Sequence, residues 1–205
     1  MRHFSHFALA FQGAFMPVIS VTLLPGYAPE VQHRLVQRLA VTARSVIAAA
    51  DAGTTVFIQE VSTYQRDGKV FTGGGAARPV ASEVVMAFLN ALGERNLDLA
   101  ATHLSANFAM TFPDKVQMHT LQELVAWSRP RYQSITKTVE HLDESWRGDG
   151  AVVYASGCLS GVFHNGHSFE GIRFIDRFEV VDGKIERQDV WNDLGVLLAK
   201  IAAGN

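Results

Sequence analysis

A run of three glycines at positions 73–75, followed by Pro79, interrupts the periodic pattern of this chain and limits the folds open to it. Glycine leaves the backbone unconstrained and proline removes a backbone donor, so we expect no regular element to continue through the segment. With 205 residues, the chain exceeds one typical domain and is short for two large ones. We therefore predict a small unit over residues 17–75, a linker over 76–80 and a larger unit over 81–205.

The small unit has the pattern of two strands separated by a helix. Residues 17–24 and 54–62 are rich in β-branched and apolar side chains, which is typical of strands. Between them, apolar residues recur at helical spacing from Pro29 to Asp51. A β-α-β unit of about sixty residues cannot bury both faces of its sheet, so we expect oligomerisation or a partner domain to cover it.

The larger unit begins with helical patterns and continues with strand patterns. Apolar spacing predicts three helices, over residues 81–95, 97–104 and from Leu121 to near Pro130. Strand patterns occur at residues 108–112, 135–146, 151–164, 168–181 and 184–192. Turn signals such as Asn165-Gly166 and Asp182-Gly183 separate the last four strands. Helices followed by a strongly curved antiparallel sheet predict an α+β fold, a half-open cone with an apolar cavity.

Charge and hydropathy exclude several classes of protein. Lys and Arg number 18 against 20 Asp and Glu, and the absence of a basic stripe argues against a nucleic-acid partner. No apolar run approaches the ~20 residues that span a bilayer, so no membrane partner is expected. Cys158 is the only cysteine, which excludes an intrachain disulfide and indicates a reducing, cytoplasmic environment. The histidines lie on separate predicted elements or flank a turn, and we predict no metal site and no cofactor.

Residues 1–16 precede the first predicted strand and have a composition of their own. They contain one arginine and a short apolar stretch, but lack the cationic start and the cleavage site of a secretory signal. Met16 stands directly before Pro17 and the strand pattern. We interpret residues 1–16 as a leader or as a misassigned start, with translation beginning at Met16.

Four motifs of the small unit are shared with a known enzyme family. They are Met16-Pro17, Leu-Pro-Gly-Tyr at 24–27, Phe-Ile-Gln-Glu-Val at 57–61 and Phe-Thr-Gly-Gly-Gly at 71–75. Through them, residues 17–75 resemble the 4-oxalocrotonate tautomerase family. The resemblance implies that Pro17, once residues 1–16 are removed, is a general base that moves a proton beside a carbonyl. A chain-end amine titrates near pH 7.7 to 8.0, whereas the nitrogen of an internal proline is a tertiary amide without such basicity.

Two positions of the small unit depart from that family. The family's two substrate-binding arginines are matched here by Tyr27 and Thr55, so its dicarboxylate substrate is not implied. Tyr27 can offer a hydrogen bond in place of an ion pair, which indicates a less anionic substrate. Phe71 matches an aromatic residue that lines the family's active site, and simple packing explains it equally well.

The larger unit carries a second resemblance. Its motifs are Val-Val-Met-Ala-Phe-Leu-Asn-Ala-Leu at 84–92, Phe-Ile-Asp-Arg-Phe-Glu-Val-Val-Asp-Gly-Lys-Ile at 174–185 and Gln-Asp-Val-Trp-Asn-Asp at 188–193. Residues 80–200 thereby resemble the nuclear transport factor 2-like (NTF2-like) superfamily, specifically its SnoaL-like and ketosteroid-isomerase-like enzymes. That superfamily contains isomerases, cyclases, dehydratases, epoxide hydrolases and noncatalytic binders, so the resemblance identifies the fold better than the function. Both resembled families assemble through their sheets, which implies a homo-oligomer.

Asp176 is the most informative residue of the larger unit, because strand alternation places it between Phe174 and Phe178 on one face. A carboxylate on an apolar face has to be partnered or protonated, which favours an acid-base role. Its position matches the acid that donates to the oxyanion in ketosteroid isomerases. Phe88 and Phe112 match that family's tyrosine and base, so steroid isomerisation by that constellation is not expected.

Asp189 shares a face of the next strand with Arg187 and Trp191. It matches a water-activating aspartate of limonene-epoxide-hydrolase-like proteins, although Tyr154 stands near the place of their second acid. Asp176 and Asp189 are candidates for an acid pair, and structural salt bridges to arginine explain them equally well. The side chains that we place around the substrate are Tyr27, Phe71, Phe88, Phe112, His119, Trp127, Tyr132, Arg187 and Trp191.

Three functions fit these patterns, and each takes a small organic molecule as its partner. The first, which we favour, is a tautomerase or isomerase of an enolisable carbonyl compound with Pro17 as base. The second places the chemistry in the cone, as a SnoaL-like isomerase, cyclase or hydratase with Asp176 and Asp189 as acid and base. The third is a noncatalytic oligomer that holds a lipophilic ligand in the cone.

Overall fold

The computed structural model of the chain describes residues 16–72 and 77–203. The chain divides into two compact units between Ala77 and Arg78. Most of the interpreted leader, residues 1–15, lies outside the described residues, as do residues 73–76 of the glycine-rich segment. Each unit is described by itself.

The first unit contains a parallel strand pair, a helix and a hairpin. Its elements are β1 (Val18–Leu23), α1 (Pro29–Val46), a 3-10 turn (Asp51–Gly53), β2 (Thr55–Glu60), β3 (Thr63–Arg66) and β4 (Lys69–Thr72). β1 and β2 run parallel, with Val18 opposite Thr55. The β-α-β order predicted from the sequence is therefore present, and an antiparallel hairpin of β3 and β4 follows it.

The first unit has little shielded apolar surface. α1 starts with Pro29 in its first turn, where a missing N–H costs nothing, and ends with Arg44 in its last turn, which suits the helix dipole. None of the side chains described in residues 16–72 is buried. A two-stranded sheet with one helix is marginal in water, so the expected covering partner for this unit stays a prediction.

The second unit has an α+β architecture. Its elements are α2 (Ala81–Gly93), α3 (Leu97–Thr102), β5 (Leu104–Phe112), a 3-10 turn (Pro113–Lys115), β6 (Val116–Met118), α4 (Leu121–Ser128), β7 (Tyr132–Arg147), β8 (Gly150–Phe163), β9 (Ser168–Val181), β10 (Lys184–Asn192) and α5 (Leu194–Ala202). α4 begins with a capping box in which the Thr120 hydroxyl accepts the Glu123 N–H and the Glu123 carboxylate accepts the Thr120 N–H. Backbone hydrogen bonds from His119 and Thr120 lower the pKa of Glu123. α4 ends two residues before Pro130, as expected of a proline that breaks a helix.

Six strands of the second unit form one mixed sheet in the order β6-β5-β10-β9-β8-β7. β7 to β10 are antiparallel neighbours, as the sequence predicts. β5, however, pairs with β10 in parallel, so the prediction of a wholly antiparallel sheet is wrong at this pairing. The long stretch of chain between the two strands allows both to run in the same direction.

The sheet curves around an aromatic core. Phe88 is wholly buried and contacts the rings of Phe108 and Phe178 edge to face, at centroid distances of 6.4 and 6.2 Å. β7 approaches β8 so closely that a Cβ at Gly157 would lie 2.0 Å from the carbonyl oxygen of Thr138. A register shift in β7 falls beside this contact, and such irregularities bend a strand. The concave side formed in this way contains the candidate site.

Candidate functional site

A cavity of about 420 Å³ lies on the concave side of the sheet in the second unit. Its wall is made by α2, α4, β7 and β10, with single residues from other elements, and apolar side chains predominate. The non-aromatic polar side chains in the wall are Asn90, Arg95, Ser128, Thr136, Lys137, Gln188 and Asn192. An apolar cavity of this size with a few polar groups can hold a small organic molecule.

A lysine–aspartate pair is built into this wall. Lys137 on β7 donates to Oδ2 of Asp176 on β9, and Gln188 on β10 donates to the same oxygen at 2.9 Å. The Asp176 side chain has no exposed surface, whereas that of Lys137 is 25% exposed. Lys137 and Gln188 line the cavity, and Asp176 lies behind them. Lys137 is therefore the charged member of the pair that a bound molecule would contact.

Strand register and an aromatic ring hold the pair in place. Asp176 lies opposite Val190 of β10 and Ala155 of β8, which fixes its side chain on the concave face. The ammonium of Lys137 lies 4.4 Å from the ring centroid of Phe174, a favourable position for a cation above an aromatic face. The lysine is thus constrained by a carboxylate and by a ring.

Three buried polar atoms near the cavity have no hydrogen-bond partner within the described part of the chain. They are Oδ1 of Asp176, Oε1 of Gln188 and Nε1 of Trp127. Nearly all buried polar atoms in proteins are hydrogen-bonded to protein, ligand or water. Two acceptor oxygens and one donor N–H near the cavity are therefore left without a hydrogen bond.

Aromatic residues of α4 and its neighbours form another part of the wall. Trp127 packs edge to face on Phe112 at 5.0 Å, and the guanidinium of Arg131 lies 4.3 Å from the Trp127 ring centroid. Tyr132 stacks on Phe163 at 5.7 Å. Burial raises the pKa of Tyr132, and the nearby charge of Arg131 opposes the rise. A neutral Tyr132 hydroxyl therefore lines the cavity at ordinary pH.

Asp189 does not share this cavity. It lies opposite Arg177 on the outer face of the sheet, accepts from Arg177 at 3.2 Å and from Arg187 at 3.0 Å, and is thereby a salt-bridged residue. Trp191, on the same face, is 52% exposed. The acid pair suggested for Asp176 and Asp189 is not formed, because neighbouring strands present these two side chains on opposite faces of the sheet. Arg187 and Trp191 likewise fall outside the cavity wall.

The other residues predicted for the cone fall into two groups. Phe112, Trp127 and Tyr132 line the cavity. Phe88 and His119 do not: Phe88 is part of the core, and His119 is exposed beside α4, where its N–H donates to Glu123 at 2.6 Å.

The residues predicted for the tautomerase site all belong to the first unit. Pro17 is half-buried directly before β1, and its carbonyl oxygen accepts the N–H of Thr55 at 3.0 Å. Tyr27 is half-buried, and Phe71 is 37% exposed and stacked on Tyr64. The predicted site residues therefore form two sets in two units, and each set is treated separately.

Lys137 and Gln188 were not among the predicted site residues. On β7, Lys137 lies between Ile135 and Val139 at alternating positions, and all three line the cavity. A charged residue between two apolar ones on one strand face is the signal that singled out Asp176. The same test applied to β7 identifies the lysine.

Residues 16–72 and 77–203 contain no group of three or more His, Cys, Asp or Glu placed to hold a metal ion. Within the same ranges, no helix is both long enough and apolar enough to cross a bilayer.

Comparison with known proteins gives a result for the fold only. No family model and no curated protein matches the sequence. An NTF2-like protein of unknown function from Burkholderia pseudomallei matches in structure, with 17% identity, a TM-score of 0.50 and coverage of 59% of this chain and 97% of that one. That share of the chain is close to the share made up by the second unit. The second unit has an NTF2-like fold.

Two further solved structures resemble the chain more weakly. An NTF2-like protein from Burkholderia thailandensis has 17% identity and a TM-score of 0.48, covering 60% of this chain and 98% of that one. A candidate SnoaL-like polyketide cyclase from Jannaschia has 17% identity and a TM-score of 0.46, covering 63% and 99%. None of these matches supports the tautomerase resemblance of the first unit.

Proposed function

We propose that the NTF2-like unit binds a small, largely apolar carbonyl compound and catalyses its isomerisation or cyclisation. Lys137 donates a proton to the carbonyl oxygen, and Asp176 positions the lysine and balances its charge. The observation that carries this proposal is a carboxylate with no exposed surface, paired with a lysine that lines an apolar cavity. The proposal keeps the second hypothesis from the sequence, in which the chemistry takes place in the cone. Lys137 replaces Asp189 as the partner of Asp176.

The burial of this pair argues for chemistry rather than stability. Taking two charges out of water costs free energy that their attraction often fails to return. A well-packed apolar pair in the same place would be as stable or more so. Charged groups held in an apolar cleft are characteristic of sites where protons are transferred, because water does not screen them there.

A ring closure illustrates what the pair can do. A carbon beside one carbonyl loses a proton and attacks a second carbonyl of the same molecule, forming a carbon–carbon bond. Nζ of Lys137 first gives a proton to the oxygen of the carbonyl under attack, and the neutral amine so formed takes the proton from the attacking carbon and becomes an ammonium again. The reaction is balanced without an oxidant or reductant. In an isomerisation, the same donor stabilises the enol oxygen, as general acids do.

Hydrogen exchange tests the proposal without knowledge of the natural substrate. Small 1,3-diketones and cyclic enones are incubated with the full chain in D2O, and exchange at the carbon beside the carbonyl is followed by NMR. Lys137→Met keeps the length of the side chain and removes its charge, and we expect the exchange rate to fall about 100-fold or more. Lys200→Met, at an exposed lysine of α5 outside the cavity wall, is the matched control and should retain the rate.

Two results would count against the proposal. Exchange that survives Lys137→Met unchanged would remove the lysine from the chemistry. Compounds that bind in the cavity but never exchange or convert would favour the noncatalytic hypothesis, in which the cone only holds a lipophilic ligand.

The tautomerase function of the first unit stays a second candidate. The observation that favours it is the parallel pairing of β1 and β2 with Pro17 directly before β1. It requires removal of residues 1–16, so that Pro17 ends the chain. Intact-mass measurement of protein made from its native upstream region tests this, since a chain that keeps those residues has no such base.

A further inference from the structure

We infer that Arg95 binds an acidic group of the molecule in the cavity, so that the substrate class is an amphipathic carbonyl compound carrying a carboxylate or a similar anion. The inference deepens the proposed function and rests on it in one respect, namely that the cavity is the ligand site. It adds the charge of the ligand and the direction in which the ligand lies.

The charges of the cavity wall are unbalanced. Lys137 and Arg95 are its two cationic side chains, and it contains no aspartate or glutamate. Lys137 is neutralised by Asp176 behind it. The guanidinium of Arg95 has no ion-pair or hydrogen-bond partner anywhere in the described ranges. One uncompensated positive charge therefore remains at the cavity, and it favours an anion over a neutral molecule.

The backbone at Arg95 adds an independent observation. Its φ is 60°, in the left-handed region, and it directly follows Glu94, the C-cap residue of α2. The N–H of Arg95 donates to the carbonyl of Leu92 at 3.0 Å, and the N–H of Asn96 donates to the carbonyl of Ala91 at 2.9 Å. In helix ends with these two hydrogen bonds, glycine is the favoured residue at the position of Arg95. An arginine here costs conformational free energy that glycine would not. Among the described non-glycine residues with positive φ, Arg95 is the one that lines the cavity.

The two cationic groups define the two ends of the ligand. Arg95 is exposed, so it lies where the cavity meets solvent, whereas Lys137 is mostly buried against Phe174. A guanidinium presents a planar pair of donors that fits both oxygens of a carboxylate. The acidic group of the ligand therefore faces solvent at Arg95, and its reacting carbonyl lies further in, at Lys137.

A pair of fluorescent probes that differ by one anionic group tests the assignment. 8-Anilinonaphthalene-1-sulfonate and N-phenyl-1-naphthylamine share an apolar body of suitable size, and only the first carries a sulfonate. Arg95→Gly removes the guanidinium and relieves the positive φ, so the variant should fold. We expect its dissociation constant for the sulfonate to rise about three- to tenfold and that for the neutral amine to change less than about twofold.

Two further variants make the result decisive. Lys115→Gly removes an exposed cation and relieves a positive φ of 59° outside the cavity wall, and it should change neither affinity. Gly93→Trp adds a ring at the exposed end of α2, where a Cβ meets no atom within 4 Å, and should weaken both probes if they occupy the cavity.

The outcomes separate this inference from the proposed function. If Gly93→Trp weakens both probes but Arg95→Gly leaves the sulfonate affinity unchanged, the role of Arg95 is overturned and the cavity remains the ligand site. If Lys115→Gly weakens the sulfonate as much as Arg95→Gly does, a general loss of positive charge explains the effect and the inference also fails. If neither probe binds, or Gly93→Trp affects neither, the ligand site itself is wrong and the proposed function falls with it.

Discussion

Removing one member of the Lys137–Asp176 pair should destabilise the second unit more than removing both. Lys137→Met leaves a carboxylate with no exposed surface and only Gln188 as a partner, and breaking a buried pair in this way costs about 3–5 kcal/mol. Asp176→Leu leaves an ammonium that is 25% exposed and can be hydrated, so we expect a loss of about 1–2 kcal/mol. The double variant Lys137→Met, Asp176→Leu should come within about 1 kcal/mol of the parent.

Denaturant unfolding followed by tryptophan emission measures these values. The three tryptophans, Trp127, Trp146 and Trp191, all belong to the second unit, so their emission follows that unit and not the first. The free energy of unfolding is extrapolated linearly to water for each variant. Lys200→Met is the control and should stay within about 0.5 kcal/mol of the parent, since its side chain is exposed.

One pattern of results would refute the reasoning. If both single variants lost less than about 1 kcal/mol, the pair would behave as an exposed salt bridge. If the double variant lost the sum of the two single losses, the two residues would be energetically independent. Either result would show that Lys137 and Asp176 do not act as a coupled buried pair, and would contradict the basis of the proposed function.

Three further predictions concern other parts of the second unit. Gly157→Ala should lower the free energy of unfolding by about 2 kcal/mol or more, because the added Cβ would lie 2.0 Å from a backbone oxygen. In the same denaturant assay, Gly195→Ala should raise it by up to about 1 kcal/mol, because the added Cβ lies in open space on α5. Burial raises the pKa of Tyr132, so the neutral side chain contributes fully to stability below about pH 10, and this contribution is lost as the pH rises further. Tyr132→Phe should therefore flatten the decline in the free energy of unfolding that is measured between about pH 9 and 11. The sequence resemblance predicts a homo-oligomer; if the outer face of the sheet forms its interface, Trp191→Glu, at a ring that is 52% exposed on that face, should lower the mass measured by sedimentation, and an unchanged mass would contradict that interface.

Much of the fold could be predicted from local signals. β9 and β10 have the bounds that the sequence predicts, because Asp182 and Gly183 form a two-residue turn with positive φ at both positions. The parallel pairing of β5 with β10 could not be predicted in the same way. Periodicity identifies a strand and its faces, but it does not identify the neighbouring strand or its direction.

Phe112, Trp127 and Tyr132, three of the predicted residues, line the cavity, whereas Asp189 lies on the other face of the sheet for a structural reason. Alternation places Arg187, Asp189 and Trp191 on one face of β10. Ile185 is wholly buried, and uninterrupted alternation from Ile185 would make this same face point inward. A register shift between Ile185 and Arg187 reverses the alternation, so Gln188 faces the cavity instead. A bulge of this kind leaves no signal in hydrophobic periodicity.

The place of β10 in the sheet has a consequence for biosynthesis. It lies between β5 and β9, yet it is the last of the six strands to leave the ribosome. Before it emerges, β5 with β6 and the meander of β7 to β9 are two separate pieces, each with an unpaired edge that can recruit other chains. The nascent unit therefore keeps these two edges unpaired until late in translation, and its ligand cavity is completed only when β10 joins the sheet.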